Sequence, residues 1–205
     1  MRLYAQKMPL VVLDKQPAAL AVPSVTSDNV AGGKIACEHL QSRGHHRIAF
    51  LPETPFWQTF TGTVSDRFLG YFNHLKLATS DAALPLRWAQ ALQACTTAVQ
   101  LKAYIQAQRI TAIIAENDVV ALRALQRLQE LTSNSDTSIA LVGFDNLPAA
   151  ARNNPALTTV VQDFAAIGAK AVEALLDQIN KPEHLFDDQI VVGVKLMVRS
   201  STNQY

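Results

Sequence analysis

Cysteine is scarce in this chain: Cys37 and Cys95 are the only two in 205 residues. Both stand in helix-like surroundings, so two buried, reduced thiols are the stronger reading and a disulfide or thiolate metal pair the weaker. Charge of either sign is limited too, with 18 Lys and Arg against 17 Asp and Glu and a formal net charge of +1. Bulk charge therefore points to neither a nucleic-acid nor a membrane surface. No apolar run approaches the roughly 18 residues that span a bilayer. The start, Met1-Arg2-Leu3-Tyr4-Ala5-Gln6-Lys7, lacks the apolar stretch and small-residue cleavage site of an export signal. The expectation is a soluble, cytoplasmic protein. Catalytic signatures are missing as well. Gly32-Gly33-Lys34 lacks the glycine spacing of a phosphate loop, and no G-x-S-x-G elbow occurs. His45-His46 lies at a helix-to-strand turn, where a structural role outweighs a metal or acid–base one. No catalytic residue, metal or cofactor is expected.

What the chain does have is apolar bulk, 49% of its residues, enough for a substantial core in one or two domains. Two runs carry most information. Thr111-Ala112-Ile113-Ile114-Ala115 stops at Glu116-Asn117-Asp118, and Ile139-Ala140-Leu141-Val142-Gly143-Phe144 stops at Asp145-Asn146. Apolar runs without polar alternation read as strands covered by helices on both faces. In open parallel sheets, ligands sit just beyond the carboxyl ends of the strands, and both runs place carboxylates and amides there.

Around these runs, strands and helices alternate. Leu10-Val11-Val12-Leu13 reads as a short strand closed by Asp14, and Pro23-Ser24-Val25-Thr26 as another. Ser27-Asp28-Asn29 supplies capping side chains for a helix with Val30, Gly33, Cys37 and Leu40 on one face. Arg47-Ile48-Ala49-Phe50-Leu51 is a strand ended by Pro52. A loop from Glu53 to Thr63 leads into a helix striped by Phe68, Phe72 and Leu75. A helix over 89–108 turns Leu92, Cys95, Val99 and Ile105 inward. After the Thr111 strand comes a helix with Ala121, Leu122, Leu125 and Leu128. Leu157 to Val161 is strand-like, and Asp163 caps a helix that buries Phe164, Ile167, Ala171, Leu175 and Ile179 and stops at Pro182. Strands over 189–192 and 195–198 finish the chain. This alternation implies an α/β fold with a parallel sheet and right-handed crossovers.

The ordered set of local sequences resembles a known family. Pro9-Leu10-Val11-Val12-Leu13-Asp14, Val25-Thr26-Ser27-Asp28-Asn29-Val30-Ala31-Gly32-Gly33, His39-Leu40 and Gly44-His45-His46-Arg47-Ile48-Ala49-Phe50 come first. Asp66-Arg67-Phe68-Leu69-Gly70-Tyr71, Thr111 to Ala121, Val142-Gly143-Phe144-Asp145-Asn146, Pro155-Ala156-Leu157-Thr158-Thr159-Val160, Gly168 and Val198-Arg199-Ser200-Ser201-Thr202 follow. Together they look like the effector-binding core of the lactose/galactose-repressor (LacI/GalR) family. The resemblance implies a periplasmic-binding-protein-like fold of two Rossmann-like parallel-sheet subdomains, the N-terminal one incomplete in this chain. Residues 1–26 and 159–191 would be the remnant of that subdomain. Residues 27–158 and 192–205 would form the C-terminal one, with crossings near 24–29, 159–162 and 191–193.

The resemblance also implies a site. Arg67 falls where the family places an arginine that grips effector hydroxyls or a carboxylate, work suited to its planar fork of donors. Its bland reading is a surface arginine paired with Asp66. Asn117 offers a donor and an acceptor, or simply caps the next helix. Asp145 suits two sugar hydroxyls, or caps a tight turn. Trp88 falls where relatives place an aromatic against a sugar or purine face, although a lone Trp is more often core. Ser27 and Asp28 are weaker candidates at the cleft mouth. Phe56, Trp57 and Phe60 either close over a ligand or meet a dimer mate. Glu116 is unusual in the family and favours a polyol or cationic ligand, or points to solvent.

The function so implied is the sensing core of a transcriptional regulator, a repressor, binding a sugar-like effector between subdomains. The whole protein would be a homodimer that meets operator DNA only through a helix-turn-helix headpiece, which these residues do not contain, so the chain reads as a deliberately truncated form, a fragment or a mis-called start. No membrane partner is expected. The alternative from the same fold is a periplasmic-type sugar-binding protein of a transport system. With part of its subdomain missing, the Asp163 helix should leave apolar residues uncovered, and the polypeptide alone should dimerise or expose that face.

Overall fold

The computed structural model describes residues 8–14, 22–75, 81–130, 139–181 and 189–203. Met1–Lys7 and Pro182, discussed above as an export-signal test and a helix stop, lie outside them. The described elements run β1 (Val12–Leu13), β2 (Ser24–Ser27), α1 (Asn29–Ser42), β3 (Ile48–Leu51), α2 (Thr63–His74), α3 (Leu84–Ala94), α4 (Ala98–Ala107) and β4 (Ala112–Ala115). They continue α5 (Asp118–Glu130), β5 (Ala140–Phe144), α6 (Pro148–Arg152), β6 (Thr158–Val161), α7 (Phe164–Asn180), β7 (Gln189–Val192) and β8 (Lys195–Met197).

Two sheets form. One is five-stranded, order β3-β4-β5-β6-β8, parallel except for β8. The other is β1-β2-β7, parallel throughout. This is the α/β, parallel-dominated architecture that the alternating pattern predicts. Successive strand residues in the larger sheet go to opposite faces. Ala49, Leu51, Ile113 and Leu141 enter a core with Trp88 and Leu92 of α3, Leu101 of α4 and Leu125 of α5. Ile48, Phe50, Ile114 and Val142 enter a second core with Cys37 and Leu40 of α1 and Phe68 and Tyr71 of α2. Both faces being covered is what forces these strands to be apolar without alternation.

The helices begin where side chains satisfy otherwise orphaned backbone N–H groups. Asp28 accepts from Ala31 N at 2.8 Å, Asn117 from Val120 N at 2.9 Å, and Asp163 from Ala166 N at 2.9 Å. The helix predicted over 89–108 is two helices. Cys95 is extended at the end of α3, and Thr97 starts α4 with a reciprocal capping box to Gln100. That local chemistry outcompetes helix continuation, and it turns Val99, expected inward, to 65% exposure. On α1, Val30 is likewise exposed while Gly33, Cys37 and Leu40 are buried.

Close approach of α1 and α2 rests on glycine. A Cβ on Gly33 would collide with the carbonyl of Arg67, and one on Gly70 with the carbonyl of Val30. The reciprocal pair lets the two backbones touch and so fixes where Arg67 projects.

The smaller sheet is less covered. Val25 and Val192 pack with Ile167 of α7, and Gln178 bonds both the N–H and the carbonyl of Leu10 at 2.8 and 3.0 Å. Of the stripe predicted to be buried, only Ile167 is. Phe164, Val172, Leu176 and Ile179 are 52–56% exposed, because among the described residues three short strands lie against a 17-residue helix. The chain passes between the sheets at 27–29, 162–163 and 193–194. There Asp28 N donates to Val192 O at 2.8 Å.

Candidate functional site

Arg67 rises from α2 into the interior and is 5% exposed. Its Nε donates to Asn29 Oδ1 at 2.8 Å and one terminal nitrogen donates to the carbonyl of Glu116 at 2.5 Å. Its Cζ lies 3.8 Å from the centroid of the Phe144 ring, a cation–π contact with the last residue of β5. The remaining terminal nitrogen stands 4.0 Å from Asp145 Oδ1. That separation is too long for a hydrogen bond, so both groups keep capacity for a third party. Burial works against the guanidinium charge, while Asp145, Asp14, Glu116 and Asp66 favour it. Asp14 follows β1, so carboxyl ends of both sheets contribute to the field around Arg67.

Asp145 follows β5 in a left-handed turn, φ 113° there and 58° at Asn146. Burial raises its carboxyl above the usual range, against the lowering effect of Arg67 and of Gln162. Gln162 donates to Asp145 Oδ1 at 2.6 Å and accepts from Ser27 Oγ at 2.6 Å. One amide thus ties the Asp145 turn to two of the three passages between sheets.

Beneath the turn, Asp118 acts as a latch. It has no exposure and accepts from Thr159 Oγ1 at 2.6 Å and Leu147 N at 2.7 Å. Burial pushes its carboxyl up to about 6, against those two bonds. Gly143 makes room for it, since a Cβ there would collide with Asp118 Oδ1. Arg199 closes the turn from outside, donating to Asn146 Oδ1 at 2.6 Å and Leu157 O at 2.7 Å.

Over residues 37–202 the sequence matches the periplasmic binding protein-like domain. The chain belongs to that family. It is similar to LacI-type regulators in both sequence and fold. The HTH-type transcriptional repressor PurR of Vibrio campbellii is 31% identical over 200 residues, 94% of this chain and 58% of the relative. The regulator MalR of Streptomyces coelicolor is 29% identical over 208 residues, 98% of this chain and 58% of the relative. The chain spans about half the length of the curated relatives it matches, 52–58%. Among solved structures, transcription regulator GntR from Chromobacterium violaceum is 29% identical with a TM-score of 0.72, over 98% of this chain and 73% of that one. A LacI-family regulator from Enterococcus faecalis with bound ribose superposes with a TM-score of 0.74 at 23% identity, over 97% and 70%. These relatives are transcriptional regulators.

In this core, Arg67 and Asp145 stand together, and Asn117 is next to them in the chain segment whose Glu116 carbonyl holds Arg67. Asn117 does serve as a helix cap, which occupies its acceptor; its amide faces Glu116 Oε1 at 3.4 Å. Trp88 does not join them. It is fully buried among the residues under α3 to α5, donates to Gln108 at 3.2 Å, and carries Arg47 5.1 Å from its ring. Arg47 precedes β3 and Gln108 precedes β4, so Trp88 lies at the amino end of the sheet, opposite the Arg67 end. The core reading of this tryptophan is the correct one.

Glu116 does not face solvent either. At 4% exposure its Oε2 accepts from Glu53 N at 2.8 Å and Thr54 N at 3.0 Å, stapling the loop after β3. Phe56 anchors that loop inward against Phe68, centroids 4.8 Å apart, while Phe60 is 57% exposed. Ser27 is buried against Gln162, and Asp28 is a cap. His45 is buried with Nδ1 3.1 Å from Thr111 Oγ1. Asn29, Phe144, Gln162 and Asp118 are the members sequence reasoning passed over. Gln162 had a signal: it is the first residue past β6, as Asp145 is past β5. Cys37 and Cys95 are both free, and burial pushes the Cys37 thiol up to about 12. Among the described residues no group of three His, Cys, Asp or Glu side chains is placed to hold a metal. No described helix is long and apolar enough to cross a membrane.

Proposed function

We propose that this chain is the ligand-sensing core of a LacI-type transcriptional regulator, a repressor in its whole form, binding a sugar or sugar derivative between two subdomains. The observation that carries the reading is the Arg67–Asp145 pair, a cation and a carboxylate held 4.0 Å apart where carboxyl ends of the two sheets meet. Each is fixed by buried partners and each has hydrogen-bonding capacity left. A hydroxyl bridging them donates to Asp145 and accepts from Arg67, and hydrogen bonds to charged groups are worth about 1.5–3 kcal/mol each. Asn117 and Gln162 stand beside the pair as further amide contacts.

The subdomains in this reading are the small-sheet and large-sheet halves, divided at 27–29, 162–163 and 193–194, so that β6 goes with the larger sheet and not, as expected, with the 159–191 remnant. Effector binding favours one of their relative orientations, and it changes operator affinity only as far as it binds the two states differently. Gln162 is well placed for that, because it holds Asp145 and Ser27 at once. The whole regulator acts as a cytoplasmic homodimer whose headpieces meet operator DNA. The bound ribose of the Enterococcus faecalis relative supports a sugar as ligand, and the regulator relatives favour this reading over a transport receptor.

The test is a thermal-shift and calorimetric screen of pentoses, hexoses, sugar phosphates and nucleobases on the full-length protein and its Asp145→Asn form. One class of polyol should bind, with affinity reduced at least tenfold in the variant while operator binding persists. A ligand whose affinity ignores the substitution overturns the site.

A further inference from the structure

A second concavity lies away from the Arg67 site, where β3 ends between the α3–α4 elbow and α5. Its volume is about 220 Å³. The floor is apolar: Leu51, Leu92, Leu101, Val120 and Ala124 line it and each is at most 7% exposed. The mouth is basic. Arg123 and Arg127 lie one helical turn apart on α5, on the same face. Arg123 is engaged by Glu53 in an ion pair. Arg127 is half-buried and has no acidic partner among the described residues, which leaves one positive charge over an apolar floor. Cys95, also in the lining, donates a hydrogen bond from its thiol to Ala91 O, and burial raises its pKa, so the thiol stays protonated.

We infer that this cavity is a second ligand site, for a small monoanion with an apolar body such as an aromatic carboxylate. Volume and chemistry both support that class. An apolar cavity of about 150 Å³ takes up benzene, so this one holds a ring with a short acid arm. A carboxylate meets the guanidinium fork of Arg127 through two parallel hydrogen bonds, while the ring covers Leu92, Leu101 and Val120. A dianion gains less, since Glu53 already neutralises Arg123. A sugar gains less, because Leu92, Leu101 and Val120 offer its hydroxyls no partner and, besides the two arginines, only Glu53, Gln93 and Thr96 in the lining do.

The probes are phenylacetate and its neutral counterpart phenylacetamide, titrated calorimetrically into the intact chain. Phenylacetate is expected to bind at least tenfold more tightly than the amide, and Arg127→Gln to abolish that preference. Ala124→Leu, which fills the floor, is expected to weaken both probes. If it fails to fold, Arg127→Gln still decides, because its side chain lies at the surface of the mouth. Equal affinity for acid and amide, a preference that survives Arg127→Gln, or no binding of either probe overturns the inference. So does loss of phenylacetate binding in Asp145→Asn, which assigns the probe to the other site. Because the two sites share no residue, failure here leaves the effector reading standing.

Discussion

The two sheets of this molecule are built from the same strand type yet differ in how completely they are covered. β3, β4 and β5 are sandwiched between α1–α2 and α3–α5, and nearly every side chain they carry is fully buried. β1, β2 and β7 have α7 on one side, and Leu13, Val191 and four apolar residues of α7 remain about half exposed. Burial, rather than strand or helix propensity, is therefore what separates the two halves. The polar site takes its order from the covered half: Arg67, Glu116, Asp118 and Asp145 all project from it, while the smaller sheet brings Asp14 and Ser27 to its rim.

Substitutions sharpen that contrast. The largest loss is expected from Arg67→Ala. It leaves the Glu116 carbonyl, Asn29 and Asp145 without their buried cation, and breaking such a pair costs about 3–5 kcal/mol. Chemical denaturation should show that loss, and sugar binding should vanish. Leu141→Ala in the covered sheet should cost about 2–5 kcal/mol through its cavity, read from the same unfolding curves.

Asp118 provides a pH test. Its folded-state carboxyl titrates near 6, above the ordinary carboxylate value near 4. The folded form therefore holds the proton more tightly, and stability from this group is fully present below about pH 4 and lost as pH rises through 6. Relative to Asp118→Asn, the wild type should gain on the order of 2–3 kcal/mol as pH falls from 7 to 4. A difference flat with pH contradicts the latch as described.

The smallest stability effect should come from the uncovered half. Leu176→Ala should lie within about 0.5 kcal/mol of wild type. The same face should control association instead. The isolated polypeptide is expected to sediment as a dimer or to bind a hydrophobic dye, and Leu176→Lys with Ile179→Lys should suppress either behaviour. A monomeric wild type that binds no dye breaks the comparison.

Legibility in the sequence followed the same division. The covered strands announced themselves because double burial demands unbroken apolar runs, and Asp28 and Asp163 marked helix starts because capping is local chemistry. The break between α3 and α4 was hidden, since apolar spacing continues across Cys95 while the Thr97–Gln100 box that interrupts it is a short polar signal. Phe164 and Ile179 were legible in two steps: periodicity reports a face that is able to be buried, and only the missing part of the subdomain, implied by the resemblance, told that little lies under it. At the site, Arg67 and Asp145 were visible through resemblance and strand-end logic. Trp88 misled because aromatic identity carries no information on which end of a sheet it occupies. Asn29 and Glu116 were illegible as partners of Arg67, because their contacts span 38 and 49 residues and depend on the Gly33–Gly70 helix contact.

The most direct test of the account is a crystal structure of the full-length protein with the polyol that shifts its melting most. Ligand hydroxyls should lie within about 3.2 Å of both the terminal guanidinium nitrogen of Arg67 and the carboxylate of Asp145, with Trp88 untouched. A ligand bound elsewhere, with the Arg67–Asp145 gap empty, would contradict it.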